Sequence, residues 1–373
     1  MTQTVLLTIG RLPKALDFAR AFHHAGWRVL VAEPFATHLT GASNCVAQSF
    51  VVPAPKEGKE AYLAALAALV VEQQVDLVLP LSEETMHVAH LGSLLSSHVS
   101  LYAPDPASLL RLHDKHAFIQ YAGGLGLSVP ETADLASPQA QAIAQAHDYV
   151  IKPVFSCSGR GVTLCPRGAA LPEATSERMI VQRCVRGASV STFTILHAGA
   201  ILCHVAYRGL VMSGSVAVAF ERVEEPAVAA WVRDFAKASG HRGFASFDFI
   251  VDEAGRPHAI ECNPRVTSGV HFLDLRDLAS AITRPGAQPV RTRADSRLMQ
   301  FYPTLTEVQA SFGRKTFVSN LKNMLSARDV TWSLADPMPF LTMPITAFGI
   351  IAAAIREKKS FGEVSTDDIA WYE

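Results

Sequence analysis

The chain has 373 residues and a mass of 40.2 kDa, and is 49% hydrophobic and 18% charged. That is enough to build two or three compact units, and too apolar for a disordered chain. Thirty-three basic against 34 acidic residues leave a formal charge of −1, which argues against nucleic acid as the main partner. The opening residues, MTQTVLLTIGRLPK, lack the basic start, long apolar run and small-residue cleavage site of a secretory leader. The six cysteines include no C-x-x-C pair, so neither a zinc ribbon nor a disulfide framework is indicated. A cytoplasmic protein is the expectation.

Residues 1–104 alternate in the manner of a parallel α/β sheet. Val5 to Ile9 reads as a strand, and Leu12, Ala15, Leu16, Ala19 and Phe22 then repeat at helical spacing until Gly26. Arg28 to Ala32 is the next strand. Tyr62, Leu63, Leu66, Leu69 and Val70 share a helix face, and the strand Val75 to Leu79 follows. This is a Rossmann-like half without G-x-G-x-x-G, so dinucleotide binding has little support. Gly10-Arg11 occupies the first strand-to-helix turn, which is either an anion seat on helix N–H groups or a plain tight turn. Glu83 lies just past a strand end, where such sheets face their ligand crevice. It is a candidate contact for an amine substrate, or else a helix-terminal acid with no ligand.

The Pro-rich junction Ala103-Pro104-Asp105-Pro106 marks a boundary. Residues 105–185 are mixed, with Asp114 capping a helix that begins at Lys115. Residues 186–290 are β-rich around one helix carrying Val228, Trp231, Val232 and Phe235. Residues 291–373 form an extension, basic at first and then apolar. Its stretch from Met338 to Ile355 approaches membrane-spanning length, but Pro339 and Pro344 interrupt it. A buried or partner-docking helix is the expectation, not a span.

The most informative passage is GFASFDFIVDEAGRPHAIECNPR, residues 243–265. Two alternating apolar runs flank a turn at Asp252 to Pro257. A hairpin centred between Ala254 and Gly255 pairs residues whose numbers sum to 509. It sets Asp248 against Glu261 and Ser246 against Asn263 on one face, with Phe247, Phe249 and Val251 on the other. Carboxylates opposed across a ladder lie roughly 5 Å apart at Cβ and repel, an arrangement that makes sense around a cation. Oxygen donors without thiolate or imidazole select a hard ion, Mg²⁺ or alternatively Mn²⁺.

Asn263-Pro264-Arg265 completes the pattern. With the preceding acid, it resembles the Glu-x-Asn-Pro-Arg signature that ends the last core strand of the ATP-grasp superfamily, and the resemblance runs from about residue 1 to 285. It implies an ATP-grasp fold: a Rossmann-like α/β N-terminal domain (1–104), a lid or first α+β subdomain (105–185), a catalytic core (186–290) and a C-terminal extension (291–373). It implies Asp248, Glu261 and Asn263 as metal ligands, with Glu261 bridging two ions, and Arg265 as the catalytic residue steadying the transferred phosphate or acyl phosphate. A planar fork of donors suits that task independently.

The nucleotide side follows in order. Lys115 is similar to the family's first phosphate lysine. Lys152 ends the strand Tyr149 to Lys152 beside a Gly/Ser-rich loop, where Ser158, Gly159 and Gly161 let backbone N–H groups approach phosphate and Lys152 supplies countercharge for binding and catalysis. Gln182, Arg183, Cys184 and Val185 are similar to the family's subdomain hinge, whose backbone reads the adenine edge. Where family members often place a ribose-binding glutamate, this sequence has Ala188-Ser189-Val190, leaving Ser189 as the candidate. On the substrate side, the hydroxyl-rich run after Arg265 nominates Ser268, Gly269 and His271, and Arg208, past a strand, is a candidate for a substrate carboxylate.

The resemblance implies a ligase that uses ATP to join a small carboxylic acid to an amine through an acyl phosphate, releasing ADP and phosphate. The run Thr267-Ser268-Gly269-Val270-His271 also resembles ATP-grasp enzymes of natural-product pathways, including mycosporine-type ones, which activate an enol oxygen. A simple phosphotransferase and a silent nucleotide-binding regulator are the other readings. The expected partners are a small-molecule acid and amine, with no nucleic acid and no membrane span. A homodimer is among the assemblies allowed.

Overall fold

The computed structural model of the chain describes residues 2–156, 160–173, 176–286, 288–357 and 361–371. Three sheets organise it. The first strands, β1 (Thr4–Leu7), β2 (Arg28–Glu33), β3 (Gln48–Val51), β4 (Leu77–Leu79) and β5 (Ser100–Leu101), form a parallel sheet in the order β3-β2-β1-β4-β5. Strands β1, β2 and β4 are apolar at nearly every position because helices cover both faces of such a sheet. Helix α1 (Pro13–His24) starts with proline in its first turn, where the missing N–H has no partner to lose. Helix α2 (Lys59–Glu72) packs Tyr62, Leu66 and Val70 on the same sheet, and the short helix α3 (Thr85–Val88) follows β4.

At the Gly10-Arg11 turn an anion is indeed held, and it belongs to the protein. The Glu33 carboxylate accepts the N–H groups of Gly10 (2.8 Å) and Arg11 (3.0 Å) and the Arg11 Nε (2.8 Å).

Helices α4 (Pro106–His113) and α5 (Lys115–Gly124) lead into a four-stranded sheet of β6 (Thr132–Asp134), β7 (Tyr149–Pro153), β8 (Thr163–Cys165) and β9 (Met179–Arg183), ordered β6-β9-β7-β8, with α6 (Pro138–Ala146) against it. Asp114 caps α5 through the Ala117 N–H at 2.8 Å.

The largest sheet has seven strands. It contains β10 (Ala188–His197), β11 (Ala200–Ser213), β12 (Val216–Val223), β13 (Gly243–Val251), β14 (Pro257–Asn263), β15 (Arg297–Met299) and β16 (Arg328–Asp329), ordered β14-β13-β10-β11-β12-β15-β16. Helix α7 (Pro226–Ser239) lays Trp231 and Phe235 on Phe247 and Phe249, with ring centroids 4.9–5.2 Å apart. These apolar residues hold one face of β13, so alternation leaves the other face for Ser246 and Asp248. Helix α8 (Leu275–Thr283) packs beside α1 in the same core as β1 and β2.

Beyond residue 290 the chain stays woven into this frame. Strands β15 and β16 extend the large sheet, and helices α9 (Phe301–Ala310) and α10 (Phe317–Ser326) lie near β11. The tail then returns to the N-terminal sheet. Asp336 pairs with Arg20 at 2.9 Å and accepts from Ser43 and Asn44, and Asp368 takes both Arg11 Nη groups at 2.7 and 2.9 Å. The stretch expected as one helix is three, α11 (Met338–Leu341), α12 (Met343–Thr346) and α13 (Phe348–Glu357). Pro339 and Pro344 sit in the first turns of α11 and α12, where proline is accepted and the preceding helix ends. No described helix is long and apolar enough to cross a membrane.

Candidate active site

The hairpin of β13 and β14 closes through the pair Asp252 and Arg256 around Glu253-Ala254-Gly255. Gly255 has φ +75° and the Asp252 side chain accepts the Ala254 and Arg256 N–H groups. The turn is therefore centred on Ala254, one half-step from the expected point. Near the tip, paired numbers sum to 508: Val251 with Pro257, Ile250 with His258, Phe249 with Ala259. Continued inward, that register would oppose Asp248 to Ile260 and turn Glu261 to the other face. A bulge at Ile260 inserts one extra residue and restores Asp248 opposite Glu261 and Ser246 opposite Asn263. The expected pairing holds at the site although the turn assumed for it does not. The bulge also frees a carbonyl: Lys152 Nζ donates to Ile260 O at 3.1 Å.

Around the two carboxylates the charges are graded. Lys115 Nζ lies 3.5 Å from Glu261 and donates to Ser156 O at 2.8 Å. Asp248 accepts from Ser191 Oγ on β10 (2.5 Å) and from Asn263 Nδ2 (3.2 Å). Burial would raise both acids. Glu261 is nevertheless held down, to about 2, by Lys115 and Lys152, whereas Asp248 is pushed up to about 7 by burial and then by Glu261. Burial lowers Lys152 to about 8, Lys115 lowering it further and the two acids opposing. A pair that cannot ionise comfortably together is short of positive charge between its members.

Arg265 reaches from the end of β14 to Glu83 of the N-terminal domain, Nη2 to Oε1 2.5 Å, and also donates to Asn263 Oδ1 at 3.1 Å. Two further groups gather here that carried no sequence signal. Lys14, in the first turn of α1, donates Nζ to Val266 O at 2.8 Å, and burial followed by Arg265 lowers it to about 7. His113 stacks on Phe155 with centroids 5.7 Å apart. Burial takes it down to about 4, among Glu83, Lys115, Arg265 and Glu261. Lys14 comes from a helix distant in sequence and is brought in only by the packing of α1, while His113 ends α4 just before Lys115.

Residues 112–269 match the ATP-grasp domain family. The N5-carboxyaminoimidazole synthetase of Staphylococcus aureus, complexed with ADP, superposes with a TM-score of 0.64 at 14% identity, covering 84% of this chain and 86% of that one. Biotin carboxylase of Campylobacter jejuni, in a βγ-ATP complex, gives 0.64 at 16% identity over 80% and 74%. The L-amino acid ligase of Bacillus licheniformis gives 0.60 at 16% over 76% and 75%. No curated protein sequence matches the chain. The fold is ATP-grasp.

In this ATP-grasp fold the four-stranded sheet and α5 meet the β13–β14 hairpin of the seven-stranded sheet. Lys152 reaches the hairpin from β7 and Lys115 from the start of α5. Gly161 has φ +72°, and a Cβ there would come within 2.8 Å of Pro153, so the position admits glycine for conformation and for space. Ser158 and Gly159 lie outside the described residues.

At the expected hinge, three donors at the end of β9 are already engaged. The Arg183 and Cys184 N–H groups donate to Glu131 O and Asp148 O, each at 2.8 Å, and Gln182 is buried with Nε2 on Thr132 Oγ1 at 3.0 Å. These donors hold β9 to its neighbours. Ser189 is exposed on β10, two residues before Ser191 and hence on the Asp248 side of the sheet.

Three substrate candidates are corrected. Arg208 lies within β11 rather than after it and is ion-paired with Glu225. His271 is buried, its Nδ1 2.6 Å from Asp17 and its ring stacked on Phe220. A Cβ on Gly269 would lie 2.5 Å from Phe193 Cβ and 2.9 Å from the Tyr207 ring, so that glycine serves close packing. Ser268 remains half-buried at the start of the turn that packs this run on β10 and β11. Glu83 meets Arg265 and not solvent. Its carboxyl is held low despite burial, by Arg265, His113 and Lys14.

A metal would be held by oxygen alone. Among the described residues no three His, Cys, Asp or Glu side chains converge, and the donors expected from the sequence, Asp248, Glu261 and the Asn263 amide, offer oxygen only. Two carboxylates and few other protein donors suit Mg²⁺, which keeps water and phosphate oxygens in its shell. Asn263 turns its NH₂ to Asp248 and its oxygen to Arg265, so ligation through that oxygen requires the amide to rotate.

Proposed function

We propose that the chain is an ATP-dependent ligase that activates a small carboxylic acid as its acyl phosphate and transfers the acyl group to an amine, giving an amide, ADP and phosphate. The observation that carries this reading is the convergence of Asp248 and Glu261 with Lys115, Lys152 and Arg265 around one hairpin of an ATP-grasp fold. The ADP and ATP-analogue complexes of the two similar folds support a nucleotide there.

In this reading Lys115 and Lys152 bind the nucleotide phosphates, and Asp248, Glu261 and Asn263 hold Mg²⁺, which neutralises phosphate charge when bound. The substrate carboxylate oxygen attacks the γ-phosphorus and ADP leaves. The amine nitrogen then attacks the acyl carbon, the carbon–oxygen bond to phosphate breaks, and the amine proton passes to water or a nearby base. Arg265 turns from Glu83 toward the transferring group, as a bidentate donor should. The four-stranded sheet acts as the lid that excludes water from the acyl phosphate. Catalysis is positioning and charge neutralisation, with no nucleophilic side chain.

The test is a screen of acid and amine pairs for ADP release, with the acid carboxylate labelled by ¹⁸O. Label appearing in phosphate supports the proposal. Label retained in the product, with phosphate oxygen drawn from an enol or hydroxyl group, would replace it by the mycosporine-type reading. A stable phosphorylated product without free phosphate would make the protein a phosphotransferase.

A further inference from the structure

The ligase chemistry leaves the C-terminal extension unused, and its surface is unlike the rest of the molecule. Of the seventeen large apolar side chains exposed among the described residues, ten lie between residues 312 and 351. Scattered exposed apolar residues are ordinary; their concentration in about a tenth of the chain is not. They fall in two sets. Phe312, Val318 and Leu325 are each more than 70% exposed on the loop and helix of α10, a helix with no buried residue. Leu341, Ile345 and Phe348, one from each of α11 to α13, are each more than 55% exposed. Phe340 of α11 packs at a tilt on Phe301 and Tyr302 of α9, centroids 5.5 and 5.6 Å away, and α9 in turn lies against α10.

The charge around these residues is one-sided. Residues 308–328 contain four basic and no acidic residues, and residues 337–355 contain no charge at all, in a chain whose formal charge is −1. Arg314, Lys315 and Lys322 are exposed. Among the nearby acids, Asp329 accepts from Phe301, Thr331 and Trp332, Asp336 accepts from Arg20, Ser43 and Asn44, and Asp295 pairs with Arg328 at 3.1 Å. That leaves Arg314, Lys315 and Lys322 as the exposed basic set beside half-buried Glu307.

From this juxtaposition we propose that the face formed by α10 and the α11–α13 path docks on an anionic membrane surface, lying in the headgroup layer without crossing it. Apolar side chains beside an unopposed set of Lys and Arg are what such a surface takes up: the first enter the acyl boundary, the second meet lipid phosphates. The helices are too short to span, and no described helix is long and apolar enough to do so. A second copy is a poorer occupant, because an isologous contact would press Arg314, Lys315 and Lys322 toward their own equivalents. In the large sheet, the hairpin acids lie on β13 and β14, while α10 packs on β11 and close to β12 and β15, two or more strands away.

The experiment is flotation of the full chain with vesicles of phosphatidylcholine alone and of equimolar phosphatidylcholine and phosphatidylglycerol. Flotation with the anionic vesicles, falling as salt is raised, is expected. Ile345→Ser combined with Phe348→Ser should lower partitioning by about tenfold or more while the melting curve stays that of the parent, since both side chains are exposed. Arg314→Glu with Lys315→Glu should abolish the preference for the anionic vesicles. No flotation with either vesicle would overturn the proposal, as would flotation of the serine variant at the parent level. So would a dimer in light scattering that the serine variant converts to monomer, which would make a second copy the occupant.

Discussion

Asp248→Asn should stabilise the ligand-free protein at alkaline pH. A carboxyl raised from its ordinary 3.8 to about 7 is costly to ionise in the folded state, because burial and Glu261 both oppose its charge. The sign follows from linkage. Below about pH 4 the group is protonated whether folded or not and costs nothing. Between pH 4 and 7 the unfolded chain releases the proton first, so stability falls as pH rises, and above 7 the full penalty applies. Three pH units at about 1.4 kcal/mol each set an upper bound of about 4 kcal/mol. Half-buried Asp248 keeps some solvent, so about 2 kcal/mol is the expected gain for an isosteric amide that still accepts from Ser191, or roughly 4 °C in melting temperature for a chain of this size. Glu261 does not confuse the window: its carboxyl is lowered to about 2, so its stabilising contribution is lost only as pH falls toward that value. The assay is thermal unfolding with chelator from pH 5 to 8, repeated with MgADP. The variant should gain on the parent as pH rises and respond less to MgADP. A variant no more stable than the parent at pH 8, or one whose advantage is independent of pH, would refute the electrostatic account of the hairpin.

Lys152→Ala should weaken MgADP binding by about tenfold or more, the scale of one lost charge-assisted contact, measured by calorimetry; unchanged affinity would remove Lys152 from the phosphates. Arg265→Lys should reduce turnover far more than nucleotide affinity, because the planar fork is lost while charge is kept. His271→Ala should lower unfolding stability by about 3 kcal/mol, since it strips the buried Asp17 of its closest partner, and leave the nucleotide dissociation constant unchanged. A fall in substrate affinity without loss of stability would restore it as a substrate contact. Phe247→Ala should cost about 3–5 kcal/mol in denaturant unfolding, the range for truncating a buried aromatic, given its place among Trp231, Phe235 and Phe249.

Local patterns carried a large part of this protein in the sequence alone. The α/β alternation to residue 101, the hairpin with its apolar and acidic faces, the Asp114 cap and the strand lysine at 152 all rest on interactions between near neighbours, whose spacing is written directly in the chain. What the sequence could not determine depended on surfaces meeting from afar. The bulge at Ile260 compensates a turn centred half a step away. Its origin is the demand that Phe247 and Phe249 meet α7 while Glu261 faces Asp248, a balance no single strand records. The assignments that failed did so for one reason: Arg208, Gly269 and His271 look available in a linear string, and only packing shows that Glu225, Phe193 with Tyr207, and Asp17 already occupy them. Lys14, His113 and the Arg265–Glu83 pair entered by the same route, because burial against a distant element changes a side chain's charge and partners without leaving any periodicity behind.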